Sequence, residues 1–332
     1  VNVVSCMMFG AISGSAVAAT SAIGSFMLPE MKKAGYEPNF SAAVTAAAAT
    51  TGMLIPPSNI LIVYAIASGG VSIAALFMAG YIPGIMVGLA LMMVCYGYAK
   101  IKGYPLAPRL PLSVVFKKVL QAIPSLFLII LVIGGIVGGI FTPTEAGAIA
   151  VVYALLLAVV FYKEVALNAL PGIMLKAAET TAIVMLLIAA STAMSWLLSF
   201  ENIPQTLSNA LLTVSDNPLL ILLLINLLLI VVGAFLDMTP AVLIFTPIFL
   251  PVAMQLGMSE LQFGIMLVLN LSIGLCSPPV GAVLFITCAI AKTKLENIIK
   301  PLLPLYAAMF VVLMLITYVD WFSEALPRAL GF

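Results

Sequence analysis

Two short stretches put a glycine and a Pro-Pro pair inside long apolar runs: residues 51–59 read TGMLIPPSN and residues 273–281 read IGLCSPPVG. Proline cannot donate a backbone hydrogen bond and ends a helix, while glycine lets another backbone come close. Carbonyl oxygens freed by such a break are hard ligands, suited to a hard cation such as Na+. The N–H groups that open the following half-helix suit an anion instead. A small polar sequence lies at a matched distance ahead of each break: Ser13-Gly14-Ser15 ahead of the first, Asp237-Met238-Thr239 ahead of the second. One sodium site is therefore expected from Ser13, Gly14, Ser15, Gly52, Pro56, Ser58 and Asn59. A second is expected from Asp237, Thr239, Gly274, Ser277, Pro278 and Gly281. Substrate contacts are expected from Ser13, Ser15, Ser58, Asn59, Thr239, Pro279 and Val280. A single Pro-Pro would suit a plain packing kink; two of them, each paired with a polar tip, favour binding sites.

The elements that must position these residues are membrane helices. Of the 332 residues 64% are hydrophobic and 8% charged, which is too little polar surface for a water-soluble domain. The net charge of +1 argues against a nucleic-acid partner and leaves lipid as the surrounding medium. The chain has no histidine, which removes His-based catalysis, His metal sites and His proton relays. Cys6, Cys95, Cys276 and Cys288 sit in apolar segments without CxxC spacing and read as packing residues. The chain opens inside an apolar run, as expected of a fragment lacking preceding helices.

Apolar runs fall at 1–29, 39–68, 73–99, 119–141, 146–162, 170–200, 218–256, 261–291 and 302–319. The run 218–256 would make about 58 Å of helix, nearly twice a bilayer core. A helical hairpin fits better, running in to Asp237 and back out from Pro240. All 13 Lys and Arg except Arg328 lie in the breaks 30–38, 100–118, 163–176 and 292–300. The positive-inside rule places those breaks in the cytoplasm, and sides then alternate only if both hairpins re-enter without crossing.

A shift of 222 positions, the difference between 274 and 52, aligns Pro29 with Pro251, Gly35 with Gly257, Gly52 with Gly274, Pro56 with Pro278 and Pro57 with Pro279. Ser15 falls on Asp237. An odd number of crossings separates the copies, so the second is inverted. The expected fold is an all-α polytopic membrane protein with an inverted repeat, each copy a re-entrant hairpin and a broken helix. Expected regions are 1–68 (first hairpin and broken helix), 69–118 (connecting helix and cytoplasmic loop), 119–217 (scaffold helices of the second repeat), 218–291 (second hairpin and broken helix) and 292–332 (C-terminal helix).

Three stretches carry a family likeness. The first 50 residues of it, GAISGSAVAATSAIGSFMLPEMKKAGYEPNFSAAVTAAAATTGMLIPPSN, together with GGIFTPTEAGAIAVVYALL and FGIMLVLNLSIGLCSPPVGAVLF, resemble the large membrane (M) subunit of tripartite ATP-independent periplasmic (TRAP) transporters. The resemblance implies a sodium-driven, elevator-type importer of organic acids, such as C4-dicarboxylates or sialic acids, in the bacterial inner membrane. It implies two partners, a small four-helix membrane (Q) subunit and a periplasmic substrate-binding (P) protein. Departures lie near the expected site. Ala19 and Thr20 stand where many members have Asp-Ala, and Asn59 where many have Ile, while many have an acid near Ser272. Dicarboxylate specificity is therefore not carried over. Asn59 suits either a hydrogen bond to a polar substrate or a helix cap.

Other motifs read more plainly. Asp237 is the one acid expected deep in the membrane, where an unpaired charge costs about 2.5–3.5 kcal/mol, so it suits a sodium ligand, an N-cap, or both. FTPTEAG at 141–147 reads as a capped helix start, with Thr142 or Thr144 ahead of Glu145. Trp196 and Trp321 read as interface anchors. A serine-nucleophile enzyme is excluded by the lack of histidine and of a midplane lysine. An ion channel and a stand-alone sodium–carboxylate symporter remain the alternatives.

Overall fold

A computed structural model describes residues 1–104, 111–203, 206, 217–278 and 281–332. Among the described residues the regular structure is helical throughout. The chain is a polytopic membrane protein. Among the described residues seven helical segments are long and apolar enough to cross a bilayer: 73–102, 118–137, 143–161, 167–198, 218–235, 238–255 and 295–318.

The chain forms two compact units, residues 1–105 with 188–332, and residues 106–187. The smaller unit holds α6 (Leu112–Val137), α7 (Pro143–Leu155) and the first part of α8 (Leu170–Phe200). The α7 start has the expected cap, and Thr142 is the residue that makes it. The Glu145 N–H donates to Thr142 Oγ1 at 3.3 Å, and the Thr142 N–H donates to Glu145 Oε2 at 2.8 Å. Two orphan donors of the first turn are thereby satisfied reciprocally.

The larger unit holds every residue expected at the sites. It begins with α1 (Asn2–Ser13) and α2 (Ala16–Lys33), joined at Gly14-Ser15. Gly14 takes a left-handed φ of 61°, which reverses the chain at no Cβ penalty. Next come α3 (Pro38–Thr51) and α4 (Asn59–Ala67), separated by the first Pro-Pro, and then α5 (Ile73–Lys102). After α8 follow α9 (Pro218–Phe235) and α10 (Met238–Gln255), joined at Leu236-Asp237. The long apolar run is thus divided as expected, but the second limb starts at Met238, two residues before Pro240. The rest is α11 (Glu260–Leu275), α12 (Ala282–Ala291), α13 (Leu295–Tyr318) and the short α14 (Trp321–Ala329).

Helix bounds repeat at the shift found in the sequence. Residues 16–33 become 238–255, and helices starting at 38 and 73 recur as helices starting at 260 and 295. Packing repeats with them. In both copies the first hairpin limb lies on the first half of the broken helix, α1 on α3 and α9 on α11. The second half crosses over: α12 packs on α2, and α4 packs on α10. Each copy therefore covers part of the other.

The two half-helices α3 and α11 are the core. Every residue from Phe40 to Thr51 and from Gln262 to Leu275 is buried. Alanines 42, 43 and 46–49 are fully buried in α3, where small side chains let neighbouring helices approach closely. Cross-copy anchors add direction. The buried Tyr64 hydroxyl donates to the Glu260 carbonyl at 2.7 Å, its ring lying against Gly264. The Cys276 thiol donates to the Ala46 carbonyl at 3.3 Å. All four cysteines are free, consistent with packing roles.

Prolines inside helices free further carbonyls. Pro247 in α10 withholds the donor that Leu243 would have had, and the Ser191 hydroxyl of α8 supplies one at 2.5 Å.

Candidate functional site

Pro56 and Pro57 withhold the helical donors of the Gly52 and Met53 carbonyls, four residues earlier. The first break repairs both losses itself. The Ile55 N–H donates to Gly52 O at 3.3 Å, and the buried Ser58 hydroxyl donates to Met53 O at 2.5 Å. Ser58 takes the N-cap position of α4 without a side-chain cap bond, and Asn59 is the first helical residue. Asn59 is therefore not the cap. Its exposed side chain lies over the hairpin tip, where a Cβ on Gly14 would sit 2.6 Å from Asn59 Oδ1. Tip and break meet directly here.

The tip is held by its own serines. The Ser15 N–H donates to Ser13 Oγ at 3.4 Å, and Ser15 Oγ accepts from the Ala18 N–H at 3.2 Å as the α2 cap. One crossing below, a Cβ on Gly10 would be 2.8 Å from the Gly52 Cα, so glycine faces glycine where hairpin and broken helix touch.

The second break follows the same plan with different chemistry. Pro278 and Pro279 withhold the donors of the Gly274 and Leu275 carbonyls. The Ser277 N–H repairs the first at 2.8 Å. The residue equivalent to Ser58 is Val280, which has no hydroxyl to repair the second. Among the described residues no donor reaches the Leu275 carbonyl. Pro279 and Val280, expected to contact substrate, lie outside the described residues. Gly281 is buried with its Cβ position 2.7 Å from the Leu275 oxygen, so only glycine leaves that oxygen room. Glycine again meets glycine, a Cβ on Gly274 lying 2.6 Å from the Gly233 carbonyl carbon.

Asp237 holds the N-cap position of α10, but its side chain makes no cap bond, and the residue is exposed. Thr239 is half-buried two residues on. A cavity of about 330 Å³ joins the end of this hairpin to the break, lined by Ala234, Phe235, Ser277, Pro278, Leu302 and Tyr306 among others. It is mostly apolar and carries no cationic side chain, so it does not suit a carboxylate.

Among the described residues no cluster of three or more His, Cys, Asp or Glu exists, so a cation here would be held by carbonyl, hydroxyl and single carboxylate oxygens. That donor set fits a hard monovalent ion. The starts of α4 and α12 lack side-chain caps, which leaves backbone N–H groups for an anion.

Sequence reasoning missed three features. Asn226 and Asn270 pair in the core: Asn270 Nδ2 donates to Asn226 Oδ1 at 2.7 Å, and Asn226 Nδ2 donates to Thr317 Oγ1 at 3.2 Å. Polar residues inside apolar runs were the available signal. Gly10 and Gly233, which make the crossings, had no distinguishing neighbours in the sequence. Tyr306, on the distant α13, had none either.

Residues 1–322 match the family described as "Tripartite ATP-independent periplasmic transporter, DctM component". The chain is 50% identical to the uncharacterized protein YgiK of Salmonella typhimurium, covering 98% of this chain and 75% of that protein. It is 38% identical to the C4-dicarboxylate TRAP transporter large permease protein DctM of Pseudomonas aeruginosa, covering 99% and 77%. It is also 38% identical to the sialic acid TRAP transporter large permease protein SiaM of Vibrio cholerae, covering 99% and 77%. Helices that span the bilayer, breaks that expose backbone oxygens, and this likeness over nearly the whole chain converge: the chain belongs to the DctM family of TRAP transporter large permeases, multi-pass proteins of the bacterial inner membrane that are not enzymes.

Proposed function

We propose that the chain is the sodium-coupled transport subunit of an organic-acid importer, working by an elevator motion with its two hairpins re-entrant. The observation that carries this reading is the Leu275 carbonyl at the second break, which no donor among the described residues reaches; the Asp237 carboxylate at the second hairpin tip, which makes no cap bond, adds to it. Na+ would be held by such oxygens, with Ser13, Gly14, Ser15, Gly52, Pro56, Ser58 and Asn59 forming the other site. Bound there, the ion offsets the charge of the incoming anion and of Asp237.

The recurrence of helix bounds and the exchanged packing support an inverted repeat, the arrangement from which alternating access arises. Both half-helix N-termini support an anionic substrate. Relatives named for C4-dicarboxylate and sialic acid support a carboxylate, and Asn59 at the tip favours one bearing hydroxyl or amide groups. A small membrane subunit and a periplasmic binding protein complete the tripartite system that the family name denotes.

The test is uptake of labelled sialic acid and of succinate into proteoliposomes holding the full-length permease and its small subunit. External Na+ and the cognate binding protein are each supplied or withheld. Uptake that requires both is expected. Sodium-dependent uptake indifferent to the binding protein would make this a stand-alone symporter, and uptake indifferent to sodium would overturn the coupling.

A further inference from the structure

We infer that Tyr306 is a positioning residue for the second break, holding Ser277 so that the loop keeps its ion-binding shape; this rests on the second break being the cation site proposed above. Ser277 is the hub of the loop. Its N–H donates to Gly274 O at 2.8 Å, and its carbonyl accepts from the Gly281 N–H at 3.0 Å. Its hydroxyl donates to Ile273 O at 2.9 Å. The end of α11 and the start of α12 are thus tied through one residue.

Tyr306 reaches this hub from α13, its hydroxyl 2.8 Å from Ser277 Oγ. Ser277 has one hydroxyl proton, and the Ile273 carbonyl can only accept it. The proton between Ser277 and Tyr306 therefore comes from Tyr306. The apolar cavity beside the pair offers a replacement water almost no other polar partner, so the tyrosine is not easily substituted by solvent.

The first repeat supplies an internal control. At the same shift, Ser277 corresponds to Ile55 and Tyr306 to Gly84. These two residues also touch: a Cβ on Gly84 would lie 2.5 Å from Ile55 Cγ1. The contact between these positions is therefore common to both repeats. It is apolar at the break whose carbonyls are repaired, and a directional hydrogen bond at the break where no donor among the described residues reaches the Leu275 carbonyl. A loop that must present bare oxygens at fixed spacing needs such a restraint more than one that closes on itself.

The experiment is calorimetric titration of NaCl, against choline chloride, into the purified full-length permease with its small subunit. Tyr306→Phe is expected to weaken sodium binding about three- to tenfold, the range for losing one buried hydrogen bond. Ser277→Ala should do the same, and the double variant should be no worse than either single one. Unchanged sodium affinity in Tyr306→Phe, or additive effects of the two substitutions, would overturn the inference. A purely structural tyrosine would lower the melting temperature and leave sodium affinity unmoved. Wild-type protein that binds no sodium would remove the cation-site reading, and this inference with it; a sodium-binding wild type with an indifferent Tyr306→Phe variant would remove this inference alone.

Discussion

Ser15 and Asp237 occupy the same position in the two hairpins, yet Ser15 caps its helix and the Asp237 side chain makes no cap bond. Met53 and Leu275 occupy the same position in the two breaks, yet the first carbonyl is taken by Ser58 and the second has no donor among the described residues. At these two points the first copy supplies a partner from its own residues, and the second, among the described residues, does not. A shared backbone plan therefore does not give two equal sites. In a low-dielectric surrounding an unpaired buried carbonyl is costly, and on the sodium-coupled reading proposed above a cation at the second break would complete it. On that reading the difference teaches that the second copy carries the stronger demand for a cation, and the first copy the weaker.

The largest effect tests what the copies share. Gly52→Ala and Gly274→Ala each drive a methyl into a facing glycine backbone, and each should destabilise the protein by about 1–3 kcal/mol, read as loss of melting temperature in detergent. Tolerance at one crossing alone would break the equivalence of the copies. Next, Asp237→Asn keeps a capping side chain and removes the charge; it should raise half-saturating sodium about tenfold, as expected for losing one charged interaction. Ser15→Ala at the matched position should instead cost about 1 kcal/mol of stability through the lost cap, with little change in sodium dependence. Equal sodium effects at the two positions would erase the asymmetry. Ser58→Ala leaves the Met53 carbonyl without its donor and should cost about 1 kcal/mol, measured by thermal melting. If the variant gains sodium affinity, the repaired carbonyl was masking a ligand. The smallest effect lies outside both hairpins and both breaks. Thr142→Ala should lower stability by about 1 kcal/mol or less and leave sodium titrations untouched, since the cap it removes is made by Thr142 and Glu145 alone.

Much of the fold was legible because lipid imposes a simple rule. Backbone groups must be satisfied within each segment, so apolar length and proline placement mark helices and their ends directly. The run 218–256 was divisible on length alone, and the division falls at Leu236-Asp237. The Thr142 cap was legible because its partners are three residues apart. The role of Asn59 was not, because a cap and a tip contact differ by one residue of helix start and by what lies opposite.

The sequence by itself determined that this chain is helical and lipid-embedded, that its breaks recur at one shift, and that their prolines free backbone carbonyls. Those properties depend on residue type and on partners within a few positions along the chain. Only the tertiary structure decided that α4 lies on α10 and α12 on α2, that Asn226 finds Asn270, and that Tyr306 reaches Ser277. Such pairings are set by close packing among elements far apart in sequence, where nearly every side chain is apolar. Hydrophobic pattern cannot choose between partners that are all equally greasy, so shape and the few polar groups make the choice.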